Sequence, residues 1–360
     1  MQYRTIPPWI WSAPIPIIAL AGDWNLLWQA SYRRQLQLFD LVFTDALGVE
    51  VMAREGIQHA RAGILFGGER AFLEALPSAV ARDIDILFVG NFHPAVQRER
   101  LPWLSRVAAL GERWKVVLAT NVHGDAYRQL LARTRIVFNR GIRGEWNLRV
   151  TETLAAGALL FQEADNREVP SYLQDRRECV YYTSDNLEAL LQHYLDHEDE
   201  RVTIADAGRR RAFEFAFGKF WHQHLGIIEQ EWHAITARAA QRPTFSAADQ
   251  LRMRAAQIFP ATVQADPSLL RDLEAFLSEH SDHSALHNAH GYALAMSQPQ
   301  QSSTAAAKSF PAFQKAWDAD ARNVLAGLNV VETLLDLGRR QEAIEQAQKS
   351  LAVLQELPEQ

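Results

Sequence analysis

Gly144-Glu145-Trp146-Asn147-Leu148-Arg149-Val150-Thr151-Glu152-Thr153-Leu154-Ala155-Ala156-Gly157 runs directly into Ala158-Leu159-Leu160-Phe161. Polar residues open this stretch, apolar residues then recur at helical spacing, a glycine closes it and an unbroken apolar run follows. A loop, a helix and a fully buried parallel strand read this way in succession. Glu145, Arg149 and Glu152 follow one another at intervals of four and three residues, so a helix continued back through Glu145 sets all three on one face.

The alternation extends outward in both directions. Apolar runs at Ile17–Ala21, Leu41–Thr44, Ala62–Phe66, Ile84–Val89, Lys115–Ala119, Ile136–Asn139, Ala158–Phe161 and Cys179–Tyr182 predict strands. Amphipathic runs at Leu26–Phe39, Arg98–Leu110, Tyr127–Thr134, Val150–Ala156 and Leu187–His197 predict helices between them. Strand and helix in alternation are the mark of βαβ units and a parallel sheet. The stretch Gly67–Asp83 loses strand character before the clean strand at Ile84, and reads as a domain boundary. The residues before it have room for roughly two βαβ steps of ~30 residues each. The amino-terminal domain, residues 1–82, therefore reads as a truncated Rossmann-like half, followed by a complete Rossmann-like domain over 83–226.

Beyond Gly226 the strand signals vanish. Helical periodicity fills Ile227–Ala240, Ala247–Gln257 and Leu269–His280, a helical linker over 227–280. Residues 281–360 repeat a helix-turn-helix pattern similar to tetratricopeptide repeats: Phe313 and Ala316 recur 34 residues on as Ala347 and Ser350, with Gly338 at a turn. The tract Ser297–Ser302 reads as a lengthened turn.

Composition bounds the function. The chain has 360 residues, 48% hydrophobic and 22% charged, enough to build several cores. A formal net charge of -6, with both signs interspersed, excludes nucleic acid as the main partner. A single cysteine excludes an internal disulfide and suits a reducing compartment, so the expected location is the cytoplasm. The apolar Pro14–Ala21 stretch is too short to span a bilayer. Beside it, Trp9, Ile10 and Trp11 would cover a sheet edge, or rest on a membrane or partner.

Chemistry belongs at the carboxyl edge of the sheet, where open α/β folds collect ligands. Phe88-Val89-Gly90-Asn91 ends one strand there, and Arg98 opens the next helix, placed either to pair with a diphosphate or to lie solvated. Asn139-Arg140-Gly141 ends another strand at the same edge. Neither a G-x-G-x-x-G fingerprint nor a P-loop is present. No metal pair is expected from the scattered His93, His123, His222 and His224, and no Ser/His/Asp or Cys/His hydrolase motif occurs.

The sequence strand–Asn–loop–Asn-x-Arg-Val-x-Glu-x-x-Ala-x-Gly, with Asp83–Asn91, Arg98 and Tyr127–Ala132, resembles the donor-site segment of group 1 glycosyltransferases of GT-B fold, above all the bacterial CgeB-like branch named for spore maturation proteins. The resemblance covers about Asp40 to Gln230. It implies a nucleotide-sugar donor, UDP- or GDP-linked, in the carboxyl-side domain, with no other cofactor and no metal. It also implies that Glu152 accepts the ribose hydroxyls while Arg98 and Arg149 neutralise the diphosphate. Gly90, Asn91, Asn139, Arg140 and Asn147 complete the expected donor site. The alternatives are that Glu152 caps the helix start, that Arg149 pairs with Glu145 or Glu152, and that Asn147 acts as the N-cap.

Candidate catalytic groups are Glu145 in the family segment, His123 on the expected ligand edge and Asp23 at the end of the first strand, the last two weighed against a surface and a capping role. The family spaces two glutamates with seven residues between them; here six separate Glu145 from Glu152, and Gly144 stands at the family position. The expected activity is transfer of a sugar to a protein or glycan acceptor, with retention of configuration implied by the resemblance, and the helical tail is the expected site for a protein partner. The alternative is a non-catalytic nucleotide-sugar-binding or scaffold protein.

Overall fold

The computed structural model describes residues 8–28, 33–69, 73, 80–92, 98–256, 267–297 and 302–356. The middle of the Leu26–Phe39 run, most of the Gly67–Asp83 stretch, His93 and most of the Ser297–Ser302 tract lie outside the described residues. The chain divides into two compact units, Pro16–Trp28 with Tyr32–Ala239, and Met1–Ile15 with Gln29–Ser31 and Ala240–Gln360.

The first unit holds two parallel sheets. Strands β1 (Ile18–Ala21), β2 (Leu41–Thr44) and β3 (Ala60–Ala62) lie in the order β1-β2-β3, with helices α1 (Arg33–Leu36) and α2 (Ala46–Arg54) in the connections. Asp45 ends β2 and starts α2, accepting the Gly48 N–H at 2.7 Å as an N-cap should. The strand expected at Ala62–Phe66 is displaced: β3 ends at Ala62, where pairing with Thr44 stops. Ile64-Leu65-Phe66 is apolar because the chain crosses there to the second sheet, where Ile64 is buried beside Trp146 and Gly68 bridges Ala216.

Strands β4 (Ile84–Val89), β5 (Val116–Ala119), β6 (Thr134–Phe138), β7 (Leu159–Glu163) and β8 (Val180–Tyr182) form the second sheet in the order β5-β4-β6-β7-β8, every pairing parallel. Helices α3 (Leu101–Ala109), α4 (Gly124–Ala132), α5 (Leu148–Ala155), α6 (Leu187–Asp196) and α7 (Glu198–Arg211) connect and flank these strands, and α8 (Phe217–Ala240) follows. Both faces are covered. Ile86, Phe88, Ile136, Phe138, Leu159 and Phe161 serve one core, while Leu87, Val89, Val137 and Ala158 serve the other, as strand alternation requires.

Chain order reverses between β4 and β6, since β5 lies on one side of β4 and β6 through β8 on the other. The crevice beyond their carboxyl ends is the topological switch point, where such sheets bind ligands. Ile235 of α8 packs with Leu41 and Phe43 of β2, so this helix returns to the first sheet.

The second unit is helical in its described residues. Helices α9 (Ala247–Ala256), α10 (Pro267–Glu279), α11 (Ser284–Met296), α12 (Ser302–Ala319), α13 (Val324–Asp336) and α14 (Arg340–Glu356) pack in succession. Gly291 admits the Phe313 ring and Gly327 admits Trp317, letting adjacent helices approach closely. The turn Pro8–Ser12 packs on α9 in this unit, with Trp11 fully buried, so Trp11 neither covers a sheet edge nor faces a membrane. Among the described residues no helix is long and apolar enough to cross a membrane, and no group of His, Cys, Asp and Glu is arranged to hold a metal ion.

Candidate functional site

Arg149 lies in the first turn of α5, and its guanidinium spans the switch point. It donates through Nε to the Val89 carbonyl at 3.1 Å, again through Nη2, and through Nη1 to Asn139 Oδ1 at 2.6 Å. It thereby joins the ends of β4 and β6 while lying 4.4 Å from the centre of the Phe88 ring. Gly90 is required by this approach: a Cβ there would stand 2.8 Å from Arg149 Nη2 and 2.9 Å from Phe88 Cζ.

Asn139 is fully buried and exchanges amide hydrogen bonds with Asn147 at 3.2 Å, donates to Gln162 Oε1 at 2.7 Å and accepts the Tyr182 hydroxyl on its carbonyl at 2.7 Å. This network fixes the amide that in turn fixes Arg149. Asn147 occupies the N-cap position of α5 without capping it, because its side chain is turned to Asn139. The Arg140 guanidinium lies 4.4 Å from the centre of Trp103 and 3.7 Å from Asp165.

The second cation is Arg100, not Arg98. The helix expected from Arg98 begins at Leu101, because Pro102 suits only the first turn, and Arg98 is exposed in the preceding turn. Arg100 is buried, donates to the Arg140 carbonyl at 2.9 Å and lies 5.3 Å from the same Phe88 ring. Its Nε has no partner. Among the described residues, neither Arg100 nor Arg149 forms an ion pair with a carboxylate, and burial followed by the charge of Arg149 brings Arg100 down to about 10. Two like charges held over one ring in a crevice are costly without an anion, and such sites are where ligands are expected.

Glu152 lies one turn along α5 from Arg149. Tyr127 of α4 donates its hydroxyl to Glu152 Oε2 at 2.9 Å. Burial raises the Glu152 pKa, with the Tyr127 hydrogen bond and Arg149 opposing and Glu69 reinforcing. Glu152 is therefore oriented by a neighbour and does not cap its helix.

Glu145 departs from expectation. It precedes α5 and so shares no helix face with Arg149 and Glu152; its carboxylate is buried and accepts the N–H groups of Ile142 at 3.2 Å and Arg143 at 2.6 Å, closing its own loop. Asp23 ends the β1 segment without capping the short helix that follows, and stands 3.6 Å from Arg143. His123 is exposed before α4, beyond the end of β5, and its side chain makes no capping bond. Gly90 stands at the crevice; Asn91 follows it, exposed.

Two residues not read from the sequence also shape this edge. Glu163 stands at the end of β7, two residues beyond the expected strand end, with Oε1 accepting Gly141 N–H at 2.8 Å and Asn166 Nδ2 at 2.7 Å. Burial pushes it up to about 7, and its Oε2 is buried without a partner. Arg100 and Glu163 thus hold opposite ends of the peptide between Arg140 and Gly141. Arg143, in the same loop, reaches the first sheet: it donates to Asp45 Oδ2 and Asn25 Oδ1, both at 2.8 Å, and to the Gly22 carbonyl at 2.9 Å. Burial lowers its pKa, but Glu145, Asp45 and Asp23 more than offset this and the net shift is upward.

A family model described as "Glycosyl transferase-like" matches residues 61–216, the span that carries every group of this crevice. Residues 61–216, less than half of the chain, are thus similar to a glycosyltransferase-like family. The expectation of a glycosyltransferase-type enzyme is supported by this match over residues 61–216. Solved structures similar to the chain include the Anabaena protein HepE in complex with UDP and glucose (11% identity, TM-score 0.42, covering 59% of this chain and 71% of that one). TarM is similar at 7% identity and a TM-score of 0.41, over 56% of this chain and 45% of that one. Sucrose-phosphate synthase from Thermosynechococcus elongatus is similar at 17% identity and 0.36, over 56% and 61%. No curated protein matches the sequence.

Proposed function

We propose that the chain transfers a sugar from a UDP- or GDP-linked donor bound at the switch point of the second sheet. The carrying observation is the pair Arg100 and Arg149, both over Phe88 and neither ion-paired with a carboxylate. A diphosphate supplies the missing charge, and as the bond between sugar carbon and phosphate oxygen breaks, the negative charge on the leaving nucleoside diphosphate meets two fixed guanidinium groups. Glu152, held by Tyr127, accepts the ribose hydroxyls, a charge-assisted contact of roughly 1.5–3 kcal/mol. Gly90 and Asn139 shape the cradle and keep Arg149 in place.

The acceptor is a protein or glycan approaching from the first sheet, where Asp23 is the candidate for receiving the acceptor proton, and the sugar is transferred with retention. The helical unit, read as tetratricopeptide-like, supplies a surface for a protein partner; exposed Leu325, Leu328 and Leu335 on α13 with Ile344, Leu351 and Leu354 on α14 favour that reading. A second reading, donor binding without transfer, is favoured by Glu145, whose carboxylate is taken up by its own loop.

Thermal-shift titration with UDP, UDP-glucose and GDP-linked sugars tests the proposal, on the native chain and on Glu152→Ala. At least one donor stabilises the native chain, and the variant needs about ten to a hundred times more of it. Stabilisation by none of them would sink the donor site. Donor hydrolysis or transfer, followed on the same samples, separates enzyme from binding protein.

A further inference from the structure

Within the first unit, a cavity of about 190 Å³ opens where the ends of β2 and β3 meet the loop after β7 and helix α8. Its lining includes Ser171, Tyr172, Gln223 and His224 beside Arg167 and Glu168. At roughly 30 Å³ per water the space equals about six water volumes, which suits one pyranose ring.

The charged groups in this lining are already committed. Arg167 Nη1 donates to Glu50 at 2.8 Å, and Glu168 accepts the Ala46 N–H at 2.9 Å and the Trp146 N–H at 2.6 Å, one on each oxygen. The open hydrogen-bonding capacity belongs to neutral groups. The Ser171 hydroxyl and the Gln223 amide are exposed, Tyr172 is half-buried, and His224 is 3% exposed with Nε2 unpartnered. Burial lowers the His224 pKa, opposed by a hydrogen bond to the Phe220 carbonyl, so the imidazole is neutral near pH 7. The Tyr172 ring is held edge-on to Trp146 at 5.4 Å and to Phe220 at 6.2 Å, so an aromatic wall stands fixed beside the hydroxyls. Neutral donors and acceptors that can serve either role, set beside a rigid aromatic ring, match a hydroxyl-rich apolar-faced ligand and offer an anion no free cation.

We infer that this cavity binds a neutral, pyranose-sized carbohydrate, the acceptor or a sugar unit of it. The assignment rests on the transferase reading for its acceptor role, but the binding site stands on the cavity alone.

The test is saturation-transfer NMR of the full chain with methyl glycosides of the common neutral hexoses and N-acetylhexosamines at millimolar concentrations. Native protein, Ser171→Trp and Gln223→Ala are compared, and UDP and GDP binding is measured on each sample. The inference expects at least one glycoside to bind the native chain, Ser171→Trp to weaken it about tenfold or more and Gln223→Ala to weaken it less, with nucleotide binding and melting temperature unchanged. Absence of binding by every glycoside overturns the cavity assignment, as does binding that Ser171→Trp leaves intact. Nucleotide binding decides the donor reading separately: glycoside binding without nucleotide binding keeps the cavity and removes its acceptor role.

Discussion

At the scale of single residues, the proposed donor crevice depends on one carboxylate kept ionised against burial. Glu152 is raised by burial and held down by the Tyr127 hydrogen bond and by Arg149. On the proposed reading donor binding needs the ionised form, so affinity is expected to fall as pH drops through a pKa higher than that of an ordinary glutamate. Tyr127→Phe removes one opposing influence and moves that midpoint to higher pH, which calorimetric titration of the nucleotide across mildly acidic to neutral pH reads directly. An unmoved midpoint would show that Tyr127 only packs. Glu152, Arg149, Asn139 and Gly90 were legible in the sequence because strand ends and the helix opening are punctuated there. Arg100 was not, because Arg-Glu-Arg offers two equivalent positions; Pro102 was the available signal, since it fixes the helix start and places Arg100 beside it. Glu163 escaped because β7 is buried on both faces, so no alternation marks where the strand ends.

Among the elements, the turn from β4 carries the closest tolerance. A methyl group at Gly90 meets both the Arg149 guanidinium and the Phe88 ring below 3 Å. Gly90→Ala therefore displaces Arg149 from the Val89 carbonyl and weakens donor binding by about tenfold, at a stability cost of roughly 1–3 kcal/mol, as expected for overpacking. Calorimetry and chemical denaturation on the same variant separate the two effects. The strands of the second sheet were all legible as apolar runs, give or take two residues. The one displaced strand, Ala62–Phe66, illustrates the limit of that signal: residues buried in crossing from one sheet to the next are as apolar as residues buried in pairing.

Over the whole molecule, the first unit depends on a cation that no motif announced. Arg143 leaves the loop of the second sheet and is satisfied by Asp45, Asn25 and Gly22 of the first. Arg143→Ala leaves Asp45 buried without its cation and destabilises the unit by about 3–5 kcal/mol, whereas removing both side chains costs less than the sum of the two single changes. Urea unfolding of the two single variants and the double variant checks this; additive losses would mean that the pair is not coupled. Long-range pairing of this kind links residues 98 positions apart and leaves no local pattern to read. The parallel sheets and the helical unit, by contrast, followed from periodicity alone. A diphosphate was expected at this edge from the resemblance; what local pattern could not tell is that Arg100 is the cation lying beside Arg149 over Phe88. The most direct test is a dissociation-constant cycle on the tightest-binding nucleoside diphosphate and its 2′,3′-dideoxy analogue, with native protein and Glu152→Ala. The account predicts that losing the hydroxyls weakens binding to native protein about ten- to a hundredfold and makes little difference to the variant. Equal discrimination by both proteins would contradict it.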